Sequence, residues 1–175
     1  MKHSIAIMTP AFLLLTVLAW GQTSMKEYKA GHVFYVSLPT YMTKTTGMND
    51  AATIQFKNTA KDVAGFIIED NKEDLELSEM VFSSIDDFYA TFIKDFLSDK
   101  KNRKISQPSS QTIGDVKFME CDESYYDKES KLDLNYFVGI AETKDAFYKL
   151  ICFSSVEDKD KFKADFQKIL YSIRD

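Results

Sequence analysis

The stretch between residues 116 and 154 constrains the fold more than any other part of the chain. It predicts three long β-strands, at about 116–126, 132–142 and 146–154, joined by short polar turns. Their apolar residues fall on both faces, with Val116 and Phe118 opposite Met119 and Cys121, and Phe147, Ile151 and Phe153 opposite Tyr148, Leu150 and Cys152. A sheet that is apolar on both faces needs cover on both sides.

Two amphipathic helices can supply that cover. Apolar residues recur at spacings of three and four in two segments: Ile85, Phe88, Tyr89, Phe92, Ile93, Phe96 and Leu97 in the first, and Phe162, Phe166, Ile169, Leu170 and Ile173 in the second. Asp165 lies off the second stripe. Ser84 with Asp87, and Ser155 with Asp158, match the capping box that begins a helix.

Further strands are predicted before the first helix, at 32–38, 53–57 and 63–69. The order of strands, helix, long antiparallel strands and final helix predicts an α+β fold, a three-layer α/β/α sandwich around a mainly antiparallel sheet. Phe92 lies at the centre of the first helical stripe. If it is buried there, Phe92→Ala should lower the free energy of unfolding by about 3–5 kcal/mol.

The first 21 residues have the layout of a secretory signal peptide. Lys2 precedes an apolar run too short to span a bilayer, and the small residues Ala19 and Gly21 mark a cleavage site. We therefore expect a periplasmic or secreted protein that begins at or near Gln22. It would be a single domain of residues 22–175, with no stable membrane insertion after cleavage.

The charge of this domain disfavours polyanionic partners. Without Lys2, 21 basic and 27 acidic residues remain, a net charge of −6. An acidic domain is a poor ligand for nucleic acid. The densest basic segment, residues 100–104, is typical of a solvated loop after a helix.

The two cysteines, Cys121 and Cys152, fall in the first and third of the long strands. Short turns make successive strands neighbours, so the middle strand should hold the cysteines roughly 9–10 Å apart. A disulfide needs Cα atoms closer than about 7 Å. Both cysteines are therefore predicted to stay free thiols, even outside the cytoplasm.

The usual catalytic constellations are missing from the sequence. His32 is the only histidine after the export segment, and it could act as a base only if the fold brought it beside Cys121, Cys152 or a serine. Gly-rich phosphate loops, HExxH and CxxC motifs do not occur. The sequence thus favours a protein that is not an enzyme and has no cofactor.

Carboxylates cluster in two segments, for which three interpretations stay open. Glu69, Asp70, Glu73, Asp74 and Glu76 form one cluster, and Glu120, Asp122, Glu123, Asp127, Glu129 and Asp133 form the other. They could include a glycosidase pair or a calcium site, although neither segment has a calcium-loop motif. The third interpretation, a solvated acidic surface, is the one we favour.

Several segments resemble the PsbP-like superfamily, which includes the extrinsic photosystem protein, a Ran-binding nuclear import factor and bacterial DcrB-type exported proteins. They are 31–39 (GHVFYVSLP), 84–88 (SIDDF), 113–117 (IGDVK) and 162–174, which ends in YSIR. Relatives often carry Trp after the proline, where this chain has Tyr41. The resemblance implies the sandwich fold and a role as a binding or assembly accessory, and it transfers no functional residue.

Four aromatic residues, Tyr125, Tyr126, Tyr136 and Phe137, lie close together across one predicted hairpin. They could stabilise the sheet as cross-strand pairs, or form a contact patch for a partner protein. We expect a non-enzymatic exported binding or assembly-accessory module whose unidentified partner is another protein. The alternative is a carrier that holds a lipid or other apolar ligand between the sheet and a helix.

Overall fold

The computed structural model describes residues 23–31 and 33–175, so the predicted export segment and His32 lie outside the described part of the chain. The strands are β1 (Met25–Ala30), β2 (Phe34–Pro39), β3 (Thr43–Thr45), β4 (Ile54–Asn58), β5 (Val63–Asn71), β6 (Lys104–Ile105), β7 (Ser109–Ile113), β8 (Val116–Asp127), β9 (Leu132–Glu142) and β10 (Ala146–Ser155). The helices are α1 (Lys72–Leu77), α2 (Ile85–Asp95) and α3 (Lys159–Leu170), with a short 3₁₀ turn at Thr59–Lys61.

Eight strands form one sheet in the order β3-β4-β5-β10-β9-β8-β6, and β7 pairs with a further part of β8. Every pairing in this sheet is antiparallel. The predicted meander of the three long strands is confirmed. β1 and β2 form a separate two-stranded sheet, which the sequence analysis did not anticipate.

The long sheet has a hydrophobic cluster on each face, as its two-sided apolar pattern predicts. On one face, α3 and the inward side chains of β2 cover Phe118, Phe137, Leu150 and Cys152. On the other, α2 covers Cys121, Val138, Ile140, Phe147 and Ile151. The predicted α+β sandwich is therefore confirmed, and the β1–β2 sheet adds to its α3 layer.

The start of α2 is confirmed, whereas the start of α3 is corrected. Ser84 caps α2, and its hydroxyl accepts the Asp87 N–H at 3.3 Å. Ser155 likewise accepts the Asp158 N–H, at 3.2 Å, but Asp158 itself is the N-cap of α3. The predicted contact thus closes a turn just before the helix.

The prediction that Asp165 lies outside the buried stripe of α3 is wrong. Its carboxylate is largely buried and accepts the hydroxyls of Thr23 at 3.1 Å and Tyr41 at 3.0 Å. Lys168 pairs with it at 3.2 Å. Burial, followed by the nearby Asp165 charge, raises the pKa of Tyr41. Asp165 therefore holds the residues that flank the β1–β2 sheet against α3.

Candidate functional site

A groove lies between α1, the loop of residues 78–84 and α2, above β5 and β10. Asn71 fixes the start of α1, because its side-chain oxygen accepts the backbone N–H of Glu73 at 2.9 Å. The helix ends after six residues, and Glu79 turns the chain with φ of 60°. We call this groove the α1–α2 groove. Its lining residues are Asp70, Lys72, Leu75, Glu76, Met80, Val81, Phe82, Phe88, Thr91, Phe92, Phe147 and Lys149.

Stacked aromatic rings form the floor of the α1–α2 groove. The rings of Phe88 and Phe147 lie parallel with centroids 4.2 Å apart. Phe82 packs edge-on against Phe88 at 5.0 Å and against Phe147 at 6.1 Å. Because aromatic pairs of this kind are rigid and apolar, the floor is preformed for an apolar side chain.

Two lysines reach the groove, and each is paired with a carboxylate. Lys149 Nζ lies 2.6 Å from Asp70 and 5.6 Å from the centroid of the Phe92 ring. Lys72 Nζ lies 3.0 Å from Glu142 and 4.8 Å from the Phe147 centroid. Burial raises the pKa of Glu142, but Lys72 and Lys117 outweigh it, so the pKa is lowered. The charges at the floor are thus neutralised in pairs.

The loop beside the groove exposes apolar side chains. Eight large hydrophobic residues are exposed in the described chain, and three of them, Leu77, Met80 and Val81, lie within five consecutive positions. Leu77 is 78% exposed and Val81 is 73% exposed. Clustered exposed apolar residues beside an apolar hollow are typical of an interaction surface.

Phe92 borders this groove and is not a core residue. Only Ile85, Phe88 and Tyr89 of the predicted stripe are buried, whereas Phe92 is partly exposed. The helix also stops at Asp95, so Phe96 and Leu97 lie beyond it. The guanidinium of Arg103 donates to the carbonyls of Ile93 and Lys94, which would otherwise lack partners at the helix end.

The four aromatic residues predicted as a possible partner contact are divided between the two faces of the sheet. Tyr125 and Tyr136 stack across the strands on the α2 face, with centroids 6.1 Å apart. Phe137 faces α3 and is 1% exposed, 5.9 Å from the ring of Phe166. Tyr126 alone is widely exposed, at 46%. Strand alternation explains the division, because neighbouring residues point to opposite faces.

The basic segment 100–104 is only in part the solvated loop that we expected. Lys101 and Lys104 are exposed, but Arg103 makes an ion pair with the fully buried carboxylate of Glu123. Burial raises the pKa of Glu123, and Arg103 opposes that shift. This pair attaches the segment after α2 to β8.

Carboxylates of the β8–β9 hairpin that were considered as a glycosidase pair have structural partners instead. Glu120 accepts from Gln167 at 2.6 Å and from the Tyr171 hydroxyl at 2.5 Å. Asp122 pairs with Lys163 at 2.5 Å. These contacts join α3 to β8.

The acidic side chains of residues 69–76, at the end of β5 and in α1, are also directed to different faces. Asp70 pairs with Lys149 on the α2 face, whereas the neighbouring Glu69 belongs to the opposite face of the strand. Among residues 23–31 and 33–175, no three histidine, cysteine or carboxylate side chains are grouped so that they could hold a metal ion. The same part of the chain contains no helix with the length and hydrophobicity needed to cross a membrane.

The cysteines are free thiols, as predicted, and face opposite sides of the sheet. Burial raises the pKa of Cys121 to about 11 and that of Cys152 well above its ordinary value. A thiol must ionise to act as a nucleophile. Both cysteines therefore serve as small core residues.

No protein-family model matches the sequence, and no curated protein matches it. Solved structures do match the fold. The cyanobacterial PsbP (CyanoP) from Synechocystis has a TM-score of 0.60 at 12% identity, over 89% of this chain and 95% of its own.

Two other proteins share the architecture. The Ran-binding protein Mog1p from Saccharomyces cerevisiae has a TM-score of 0.59 at 8% identity, over 87% of this chain and 96% of its own. LpqN from Mycobacterium tuberculosis, involved in cell envelope biogenesis, has a TM-score of 0.54 at 10% identity, over 89% of this chain and 86% of its own. At these identities the likeness concerns the fold alone: the chain shares the architecture of CyanoP, Mog1p and LpqN, as its resemblance to PsbP-like sequences predicted.

Proposed function

We propose that this chain is an exported, non-enzymatic accessory module that binds another protein in the α1–α2 groove. The observation that carries the proposal is the exposed apolar segment Leu77–Met80–Val81 beside an aromatic floor. Exposing these side chains to water is unfavourable, by about 25 cal/mol per Å² of apolar surface. A partner that covers them would recover that free energy.

The size of the groove favours a protein partner over a carried lipid. It consists of two adjoining hollows of about 70 and 170 Å³. Pockets for small ligands usually hold about 300–1,000 Å³. Hollows of the observed size suit individual side chains of a partner better than an acyl chain.

The chemistry of the polar groups supports a role without catalysis. Both thiols have raised pKa values, and the hairpin carboxylates Glu120, Asp122 and Glu123 are each held by a structural partner. A general base or nucleophile needs a free group next to the reacting atom. Mog1p, a Ran-binding protein, shows that this fold can bind another protein.

The exposed hairpin is a second contact surface for the same function. Tyr126 and Tyr125 line a hollow of about 360 Å³ together with Asn102, Lys104, Ser124 and Asp133. This hollow is polar and lies at the opposite end of the long strands from the groove. We rank it below the groove because, of the residues that line it, Tyr126 alone is an exposed hydrophobic side chain.

Site-specific photocrosslinking in the native host tests the proposed contact. A photoreactive amino acid at Val81 should trap a discrete protein, whereas the same group at exposed Lys29, in the β1–β2 sheet on the opposite face of the molecule, should not. A third position, Tyr126, reports on the hairpin. Equal trapping at Val81 and Lys29, or trapping only at Tyr126, would contradict binding in the groove.

Two mass measurements test the remaining parts of the proposal. The protein isolated from its host should begin at or near Gln22, and an intact Met1 would contradict export by a cleaved signal. Native mass spectrometry should show the protein without a bound small molecule. A co-purified lipid, at one per chain, would favour the carrier function instead.

A further inference from the structure

We infer that the occupant of the α1–α2 groove is a basic, amphipathic helical segment of the partner protein. This inference rests on the proposed function and adds the chemistry of the partner. It follows from the charge around the groove, the pairing of the charges within it, and the shape of its apolar surface.

The rim of the groove is strongly acidic. Residues 69–87 contain eight acidic residues and one basic residue. Six of the acidic residues are exposed: Glu73, Asp74, Glu76, Glu79, Asp86 and Asp87. They lie in α1, in the loop that follows it and at the start of α2, so they border the exposed apolar segment.

The basic groups within the groove do not offset this charge. Lys149 is paired with Asp70, and Lys72 with Glu142. Among the ion pairs of residues 23–31 and 33–175, none includes the rim carboxylates Glu73, Glu76, Glu79 or Asp86. The rim therefore presents uncompensated negative charge, which attracts a cationic ligand and repels an anionic one.

The apolar surface indicates how such a ligand binds. The two hollows adjoin each other and share Leu75, Met80 and Phe82 as walls. Neighbouring hollows suit apolar anchors spaced three or four residues apart, which an amphipathic helix presents along one face. Lysine or arginine residues on the flanks of that helix would meet the acidic rim.

The same charge argues against two other occupants. Anionic lipid headgroups and nucleic acid phosphates would meet the exposed carboxylates of the rim, and the two lysines that line the groove, Lys72 and Lys149, are already paired with carboxylates. A second copy of this chain is a weaker candidate, because the molecule as a whole is acidic. These occupants become outcomes of the test.

Two designed peptides of 18 residues provide the test. Both carry leucine and phenylalanine at helical spacing, and the remaining positions are lysine in one and glutamate in the other. Isothermal titration calorimetry with the purified protein should show at least about tenfold tighter binding of the lysine peptide at low ionic strength. That preference should shrink as salt shortens the screening length to about 3 Å at 1 M.

Matched variants of the protein assign the effect to the rim. The triple variant E73Q/E76Q/E79Q should bind the lysine peptide at least about fivefold more weakly. The control D62N/E129Q/E157Q removes the same number of exposed carboxylates at the other end of the molecule and should bind as the parent does. Equal losses in both variants would show general charge attraction and would overturn the inference.

A groove variant separates failure of the inference from failure of the proposed function. Val81→Asn adds no charge, and it should abolish binding of the lysine peptide and also the photocrosslink at a neighbouring groove position, Met80. If the photocrosslink forms in the parent but both peptides bind equally, the partner is not basic and only the inference fails. If the photocrosslink is also absent, the proposed function fails. Binding to anionic vesicles, or a dimer by light scattering that Val81→Asn dissociates, would likewise overturn the inference of a basic helical partner.

Discussion

The two faces of the eight-stranded sheet are covered to different extents. On the α3 face, every apolar residue of the helical stripe from Phe162 to Ile173 is at most 2% exposed. On the α2 face, the apolar stripe of α2 is buried only from Ile85 to Tyr89. Beyond that point Phe92 borders the α1–α2 groove.

Element lengths explain the difference. A helix rises about 1.5 Å per residue, so α2 and α3 are each roughly 16–18 Å long. The long strands rise about 3.3 Å per residue and extend about twice as far. Neither helix can cover a face alone. The β1–β2 sheet completes the cover beside α3 with the fully buried Phe34, Val36 and Leu38. On the α2 face, α1, its loop and the segment after α2 contribute Leu75, Phe82 and Phe96, which are only partly buried.

The largest expected effect is the loss of a core ring on the closed face. Phe166→Ala should lower the free energy of unfolding by about 3–5 kcal/mol, because Phe166 is 1% exposed and packs against Phe137 and Phe162. Urea denaturation measures this. A loss below about 1 kcal/mol would mean that the α3 face is not packed more tightly than the α2 face.

A smaller effect is expected where α3 packs against a glycine of β9. A Cβ at Gly139 would lie 2.8 Å from both methyl groups of Leu170, which is fully buried. Gly139→Ala should therefore destabilise the protein by about 1–3 kcal/mol. In a Leu170→Ala background the same change should cost much less, because the obstructing methyl groups are gone. An unchanged cost in that background would show that the clash is not with Leu170.

On the open face, Phe92→Ala should cost only about 1–2 kcal/mol, because part of its ring is already exposed to water. This value replaces the larger loss expected from the helical pattern alone. The same urea measurement applies, with Phe88→Ala as the buried control on the same helix. A loss at Phe92 equal to that at Phe88 would show that the groove is closed in solution.

The smallest effect concerns the ion pairs at the groove floor. The pKa of Glu142 is lowered in the folded protein, so its stabilising contribution is present above its ordinary value of 4.5 and is lost as the pH falls through the folded-state pKa. Glu142→Gln should cost about 0.5–1 kcal/mol at neutral pH and almost nothing near pH 2.5. Thermal melts at both pH values test this. A cost that does not depend on pH would mean that Glu142 acts through packing.

The parts of the fold that follow a regular pattern were predictable from the sequence. The three long strands, their meander and the stripe of α3 were identified from apolar periodicity. This periodicity is regular because every inward-facing position of a buried strand or helix needs an apolar side chain. The short strands β1, β3, β6 and β7 were missed, because their mostly polar residues show no such alternation. Their positions depend on the strands beside them.

The groove was not predicted, although two signals of it are visible in the sequence. Lys149 is the one charged residue of β10, and the residues around it from Ala146 to Phe153 are apolar or aromatic on both faces. Leu77, Met80 and Val81 belong to no helical or strand period. Either signal marks a place where the apolar surface is not fully enclosed, but neither shows which elements lie around it.

The layers of this protein follow from its sequence, because apolar side chains are buried in the folded chain and their spacing specifies a helix or a strand. The extent to which each layer is covered is a property of the tertiary structure. That depends on the lengths and positions of elements distant in sequence, such as the β1–β2 sheet on one face and α1 on the other. The candidate site lies where this cover is incomplete, because helices of similar length leave different areas of the same sheet exposed.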